Sequence, residues 1–200
     1  MILDADLVLS FLLHCLIILK VVFSYLYLFI PKKELLRKDH AMESARFILD
    51  VHLGKLAKLL RMMGFDTLYR NNLEDDEIIR IADQENRIVL TRDRGILNNK
   101  RVERGHFVES IFAREQITEV IDAFALKDSL SFLSRCMVCN GLIMEVSKEE
   151  VDHELKPRTR RYFNRFFRCR HCGKVYWEGS HYDRMKSFYE EIKNRKPEHE

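Results

Sequence analysis

Glycine and proline are scarce in this chain, which has seven glycines and three prolines among its 200 residues. Disordered low-complexity and collagen-like sequences contain many more of both. Because 46% of the residues are hydrophobic and 32% are charged, the composition instead indicates a globular protein with a real core. The length suits one domain of ordinary size with a small appendage.

A strong charge of one sign is also missing. The formal net charge is +3 and the isoelectric point lies near 8.6. Such a mild excess does not attract a polyanion to the whole surface, so any binding of nucleic acid must come from local clusters of basic residues.

A long apolar stretch at residues 7–30 has no basic residue before it and no small-residue cleavage site after it, so it does not match a signal peptide. About 20 apolar residues suffice to cross a bilayer. The basic residues that follow would hold the rest of the chain in the cytoplasm. We treat residues 1–41 as one segment and leave three interpretations open: a membrane anchor, a true translation start at Met42, or a buried helix. The expected location is cytoplasmic, with or without a membrane anchor.

Cysteine is used sparingly but in a pattern. Four of the five cysteines form two C-x-x-C pairs, and paired knuckles of this kind predict a tetrahedral zinc site. Two disulfides or a redox C-x-x-C are the alternatives. Four thiolates fill the zinc shell, so the metal would be structural. The predicted ligands are Cys136, Cys139, Cys169 and Cys172.

Short apolar runs alternate with helical periodicity from Arg46 onward. The runs lie at residues 47–49, 67–69, 88–90 and 106–108, and amphipathic segments separate or follow them. This alternation predicts an α/β fold with a parallel sheet flanked by helices on both faces.

Acidic residues follow two of these predicted strands. Asp50 and Asp93 would lie at the carboxyl edge of the sheet, where functional groups of parallel sheets collect, and Asp75 or Asp76 would join them from the start of the intervening helix. Clustered carboxylates predict bound magnesium or manganese, which would activate water to attack a phosphodiester. The alternative is that each acid only caps a helix or interacts with its dipole. Between the neighbouring pair we prefer Asp76.

Two arginines flank the second of these strand-end acids. Arg92 and Arg94 either stabilise charge on a phosphoryl group or pair with nearby carboxylates.

The strongest basic cluster runs from residue 156 to residue 177, with eight lysines and arginines, no acid, and interleaved aromatic residues. Such a stretch is typical of single-stranded RNA binding. The alternative is that the cations offset the charge of the zinc thiolates. We predict phosphate contacts from Arg158, Arg160, Arg161 and Arg165. We expect four aromatic residues of this region to lie mostly in the core: Phe163, Phe167, Tyr176 and Trp177.

Several strings together resemble a known family: DVHLGKLAKLLRMMGFDTLY, NNLEDDEII, IVLTRDRG, SRCMVCNG and FFRCRHCGKVYWEGSH. From about Arg46 to about Met185, the chain is similar to the PIN-fold ribonucleases of the Mut-seven C-terminal type. The resemblance implies a PIN-like nuclease domain coupled to a zinc ribbon. It also implies metal-dependent RNA cleavage, with Asp50, Asp76 and Asp93 at the catalytic acidic positions.

The domain boundaries and the function follow from these predictions. We expect a PIN-like domain at residues 42–130, a zinc ribbon at 131–182 and a helical tail at 183–200. The predicted function is metal-dependent hydrolysis of RNA. A non-catalytic RNA-binding or ribosome-associated adaptor is the second hypothesis, and a membrane-tethered partner-binding protein is the third.

Overall fold

The computed structural model describes residues 45–195. The predicted apolar segment at residues 1–41, with its stretch at 7–30, and the alternative start at Met42 lie outside the described residues, as do the last residues of the predicted tail. Within the part of the chain that the structure describes, no helix combines the length and apolar character needed to cross a bilayer.

A four-stranded parallel sheet forms the centre of the first half, in the order β2-β1-β3-β4. The two central strands are buried on both faces, which is why they are continuous apolar runs in the sequence. The predicted α/β class is therefore confirmed. The strands are β1 (Arg46–Leu49), β2 (Asp66–Leu68), β3 (Ile88–Thr91) and β4 (Gly105–Phe107).

Four helices accompany this sheet: α1 (Gly54–Met62), α2 (Asp75–Glu85), α3 (Arg94–Leu97) and α4 (Ala113–Ala123). Successive strand residues point to opposite faces. Phe47 and Leu49 accordingly pack in the cluster that contains residues of α1 and α4. Ile48 packs in a second cluster with residues of α2. Helices therefore cover both faces of the sheet, as the alternation of apolar runs with helical periodicity predicts.

Gly64 ends the first helix in a conformation that requires glycine. Its φ is +103°, and an added Cβ would lie 2.5 Å from the carbonyl oxygen of Ser131. The turn that it allows leads directly into β2, and the backbone N–H of Ser131 donates to the carbonyl of Met63 at 2.8 Å. This turn therefore brings the start of the second half of the chain against the end of α1.

The second half contains a three-stranded antiparallel sheet in the order β5-β6-β7. Two short helices connect its first two strands, and a long helix follows its last strand. The strands are β5 (Ile143–Val146), β6 (Phe166–Cys169) and β7 (Val175–Trp177), and the helices are α5 (Lys148–Val151), α6 (Pro157–Tyr162) and α7 (Ser180–Asn194). Buried residues of α7 pack into the core cluster of α1 and α4 rather than into the small sheet: Phe188, Tyr189 and Ile192.

Asn140 joins the small sheet region to the free edge of β2. Its side-chain oxygen accepts from the backbone N–H of Thr67 at 3.0 Å, and its amide nitrogen donates to Asp66 Oδ1 at 2.8 Å. Asp66 also pairs with the buried Arg87 at 2.9 Å. Burial opposes ionisation of Asp66, but its hydrogen bonds from Arg87 and Asn140 lower the pKa below the usual value. The edge strand is thus closed by a charged side-chain network.

Arg61 makes the second connection. This buried guanidinium donates to the carbonyl oxygens of Thr67 at 2.9 Å, Met137 at 3.2 Å and Val138 at 3.0 Å. Burial lowers its pKa, and neighbouring negative groups counteract that effect. Because Met137 and Val138 lie inside the first C-x-x-C, one side chain of α1 fixes this knuckle against the parallel sheet.

Candidate active site and metal centre

Asp50 lies directly after β1 with only 3% of its surface exposed. Its Oδ1 accepts from the N–H of His52 at 2.8 Å, and its Oδ2 accepts from the hydroxyl of Thr91 at 2.5 Å and the N–H of Arg92 at 2.8 Å. The first bond caps the short 3₁₀ helix that begins at Val51. The other two bonds come from the end of β3, so this carboxylate is held in one orientation by two strands.

Thr91 links this carboxylate to the second acid. Its fully buried hydroxyl donates to Asp50 and accepts from the backbone N–H of Asp93 at 2.9 Å. The structure therefore brings Asp50 and Asp93 to one edge of the sheet through a single hydroxyl. Sequence reasoning did not assign a role to Thr91. The available signal was a polar residue that ends an otherwise apolar strand.

Asp93 is exposed and begins α3 as its N-cap. Its Oδ1 accepts from the N–H of Gly95 at 2.6 Å. No residue in the described range 45–195 donates to its Oδ2. A carboxylate offers about four acceptor directions, so capping and metal binding can coexist on this side chain.

Asp75 and Asp76 occupy the first turn of α2 and are exposed. This helix connects β2 to β3 and so begins at the carboxyl edge of the parallel sheet, as expected for a parallel crossover. Within residues 45–195 neither carboxylate has a hydrogen-bond or ion-pair partner.

Among the described residues, one group of side chains could hold a metal ion by its spacing alone. This group is the four cysteines, whose sulfur atoms all lie within 4.8 Å of one another. The acids form no group this tight, although magnesium commonly uses one or two carboxylates with waters and substrate phosphates. Oxygen donors at this edge therefore fit a hard cation chemically. The assignment of Asp50, Asp75, Asp76 and Asp93 to a catalytic metal stays a prediction.

Arg92 braces the loop that follows β4. Its Nη1 donates to the carbonyl oxygens of Val108 at 3.0 Å, Glu109 at 2.8 Å and Ser110 at 2.6 Å. These contacts favour a positioning role for Arg92. Arg94 is more available, since it is exposed, stacks 4.1 Å above the ring of Phe107 and pairs with Glu109 only at 3.6 Å.

Glu119 of α4 supports the same loop from the other side. It accepts from the N–H of Glu109 at 2.9 Å and of Ser110 at 3.3 Å, and it contacts His106 Nε2 at 2.7 Å. These hydrogen bonds hold the loop in place, while Phe112, two residues after Ser110, is 61% exposed. Sequence reasoning identified neither the brace nor this exposed aromatic ring, because both depend on contacts between separate elements.

The four predicted metal-binding cysteines converge on one point. The Sγ atoms of Cys136 and Cys172 lie 3.7 Å apart, and those of Cys139 and Cys169 lie 3.4 Å apart. A tetrahedral zinc ion with Zn–S bonds of about 2.3 Å would place its sulfurs about 3.8 Å apart, so the donor set fits one metal ion. All four thiols are free, and their separations exceed the length of a disulfide, about 2.05 Å.

Tyr176 supports this centre with a hydroxyl 3.1 Å from the Sγ of Cys136. Burial opposes ionisation of this thiol. Hydrogen bonds from Tyr176 and from the backbone amides of Cys139 and Val138 outweigh burial and lower the pKa of Cys136 to about 7. The thiolate form of Cys136 is thus favoured, whereas burial raises the pKa of Cys139 to about 12 and also raises that of Cys172.

The predicted RNA-contacting arginines differ in their surroundings. Arg160 pairs with Asp152 at 3.0 Å. Arg165 pairs with Glu145 at 2.9 Å and Glu178 at 3.0 Å, and these contacts raise its pKa. Carboxylates outside the metal centre therefore offset the charge of these two cations.

The other two arginines have no carboxylate partner within residues 45–195. Arg161 stacks 5.5 Å from the ring of Tyr162, and Arg158 is exposed. These two are the more available of the four for a phosphate.

One expected core aromatic is not in the core. Trp177 is 38% exposed, whereas its neighbour Tyr176 is 7% exposed. Side chains alternate across a strand, and β7 is an edge strand, so the residue after a buried tyrosine points outward.

The fold and the site define an α/β domain with acidic strand ends, followed by a four-cysteine metal-binding region compatible with a zinc ribbon. The family model described as the Mut7-C RNAse domain matches residues 45–189, and the chain belongs to this family. The match spans both sheets and most of α7, and it confirms the resemblance drawn from the sequence strings. No curated protein and no solved structure matches the chain.

Proposed function

We propose that this protein is a metal-dependent ribonuclease that hydrolyses RNA phosphodiester bonds. Membership of the Mut7-C RNAse domain family supports an activity on RNA. The single observation that carries the catalytic assignment is that the hydroxyl of Thr91 donates to the carboxylate of Asp50 and accepts from the backbone N–H of Asp93, so both strand-end acids lie at one edge of the sheet.

In this proposal Asp50, Asp76 and Asp93 hold magnesium or manganese, with Asp75 as a further ligand. The bound ion would neutralise phosphoryl charge and lower the pKa of water. Three hydrogen-bond donors fix the carboxylate of Asp50 in one orientation. Asp50 would therefore act as a rigid ligand that sets the position of the ion. Asp93 and Asp76 present exposed oxygens to solvent, where a substrate has access.

Two arginines act differently near these acids. Arg94 is exposed next to Asp93 and would contact a phosphate of the substrate. Arg92 would act mainly by holding the loop at Val108–Ser110 in place, because three carbonyl oxygens occupy its Nη1.

The domain assignment follows the predicted boundaries, with a PIN-like nuclease domain at residues 42–130, a zinc ribbon at 131–182 and a helical tail at 183–200. Zinc would be structural, because four cysteines leave no open coordination position. The ribbon would bind single-stranded RNA through Arg158 and Arg161. Arg160 and Arg165 would contribute less, since each already has a carboxylate partner.

A cleavage assay on the full chain tests the proposal. Single-stranded RNA labelled at either end would be incubated with protein whose bound zinc has been quantified, after weak chelation and then with magnesium, manganese or calcium added back. We expect cleavage with magnesium or manganese and none without them. Cleavage that persists after all exchangeable divalent ions are removed would contradict the metal assignment.

A non-catalytic RNA-binding or ribosome-associated adaptor is the second candidate. One observation favours it: both Asp50 and Asp93 cap local backbone amides, as purely structural acids do. Under this alternative the protein binds single-stranded RNA but does not cut it with any of the ions tested.

A further inference from the structure

The ribbon carries a groove of about 720 Å³ between α6, β7 and the start of α7. We call it the ribbon groove. Its volume falls within the range of about 300–1,000 Å³ typical of small-molecule pockets. The residues that line it include Lys156, Arg158, Tyr162, Lys174, Trp177 and Gly179.

The charge of the ribbon groove has one sign. Lys156, Arg158 and Lys174 line it, and the described residues on its wall include no aspartate or glutamate. None of these three cations has a carboxylate partner within residues 45–195. Unpaired cations around an acid-free groove fit a polyanion, because each can neutralise a phosphate without breaking an existing ion pair.

Two aromatic side chains in the groove are exposed, and the guanidinium of Arg161 lies 5.5 Å from the centroid of one of them, the Tyr162 ring. Tyr162 is 62% exposed and Trp177 is 38% exposed. The other two tyrosines are engaged, since Tyr176 hydrogen bonds to Cys136 and Tyr182 stacks on Phe167 at 6.1 Å. Exposed rings beside cations that lack a carboxylate partner are the combination that binds unpaired nucleotides, which offer both a base face and a phosphate.

A second cavity adjoins the ribbon groove. This cavity of about 460 Å³ shares Lys156, Lys174 and Trp177 with the groove. It extends to Cys172 and to Glu154, whose carboxylate is paired with Arg168. The shared residues place two cations and one ring between the two cavities. This arrangement suits a chain that crosses from one cavity to the other better than a single small ligand.

Gly179 keeps the wall of the ribbon groove open. A Cβ at this position would lie 3.1 Å from Nε1 of Trp177 and 3.3 Å from Cζ of Phe163, tighter than ordinary packing. A larger residue here would require one of these two rings to shift by a few tenths of an ångström.

We propose that the ribbon groove binds an unpaired segment of RNA, with Trp177 and Tyr162 stacking on bases and Lys156, Arg158 and Lys174 contacting phosphates. The choice of RNA as the polyanion rests on the proposed function. The groove and its charge do not depend on catalysis, so binding and cleavage can fail separately.

The protein contains one tryptophan, so its emission reports directly on the groove. The full chain, loaded with zinc and without magnesium, would be titrated with labelled single-stranded RNA, duplex RNA and polyglutamate, recording tryptophan emission and anisotropy together. We expect single-stranded RNA alone to quench Trp177 in step with binding. Saturable RNA binding without any change in emission would overturn the proposal, as would equal quenching by duplex RNA or by polyglutamate.

Variants give an independent test. Trp177→Ala and Tyr162→Ala should each weaken binding of single-stranded RNA by about 5-fold or more, whereas Trp177→Phe retains most of the affinity. Lys174→Gln should weaken binding and reduce its salt dependence by about one phosphate contact. Matched controls are Leu142→Ala and Lys186→Gln, both exposed positions outside the groove and outside the basic stretch, which should bind as the unaltered chain does.

The failures are distinguishable. If the unaltered chain binds single-stranded RNA through the groove but never cleaves it, the nuclease proposal is wrong and the groove proposal stands. If Trp177→Ala and Tyr162→Ala bind RNA normally, the groove proposal is wrong whatever the cleavage assay gives. Zinc content and circular dichroism of each variant identify a folding defect, in which case the emission titration of the unaltered chain decides.

Discussion

Replacement of Asp93 by asparagine separates the catalytic role of this residue from its structural role. The side chain caps α3 through Oδ1, which accepts from Gly95 at 2.6 Å. Asparagine keeps a carbonyl oxygen for that bond and is about as good an N-cap as aspartate. We therefore expect the free energy of unfolding to change by less than about 0.5 kcal/mol.

The same substitution should stop cleavage. Asp93→Asn removes the negative charge that would hold the catalytic ion, and such an ion contributes several kcal/mol to stabilising the transition state. At about 1.36 kcal/mol per tenfold change in rate, a loss of about 3 kcal/mol corresponds to more than 100-fold.

Asp50→Asn is a less clean perturbation. Asp50 is buried and accepts three hydrogen bonds, two of them at one oxygen. An amide group must turn its nitrogen toward at least one of these donors, and losing a hydrogen bond to a buried charge costs about 1.5–3 kcal/mol. We expect this variant to lose both cleavage and stability.

The assay compares cleavage rates of single-stranded RNA in magnesium with thermal unfolding of the same preparations. Asp93→Asn should melt like the unaltered chain and cut at least about 100-fold more slowly. An Asp93→Asn protein that cuts at the unaltered rate would refute the reasoning. A large drop in the melting temperature of this variant would show that the helix-capping and catalytic roles of Asp93 cannot be separated by this substitution.

Three further predictions concern stability. Removing the metal with a strong chelator, or replacing Cys139 by serine, should unfold the ribbon, because a structural zinc ion contributes about 10 kcal/mol or more; zinc release and circular dichroism would report it, and an unchanged melting curve would contradict it. Arg61→Ala removes three hydrogen bonds from buried or half-buried carbonyls and should destabilise the full chain by about 3 kcal/mol in urea, with Lys55→Ala on the exposed side of α1 as the control. The lowered pKa of Asp66 gives stability that is present above its unfolded pKa near 3.8 and is lost as the pH falls through the folded pKa; urea midpoints from about pH 5 to about pH 3 should therefore fall less for Asp66→Asn than for the unaltered chain.

The parallel sheet and the position of its acids were predictable because both depend on local patterns. Buried central strands leave continuous apolar runs, and a residue that follows such a run must lie at the carboxyl edge of the sheet. Asp50 and Asp93 could be located in this way. The cysteine cluster was predictable because its spacing encodes the metal geometry.

Contacts between distant segments were not predictable. Thr67 and Asn140 are 73 positions apart and meet because the segment that leads into the first C-x-x-C is hydrogen bonded to the end of α1, next to β2. The guanidinium of Arg92 is occupied by a loop, which depends on the register between β3 and β4. The exposure of Trp177 depends on β7 being an edge strand, which the sequence pattern alone does not reveal.

Diffraction from crystals of the full chain soaked in manganese tests the central claim most directly. An anomalous peak should lie at the carboxyl edge of the parallel sheet, within direct or water-mediated reach of Asp93 and Asp50, and it should disappear in Asp93→Asn. Manganese bound elsewhere, or an empty edge in crystals that cleave soaked RNA, would contradict the account.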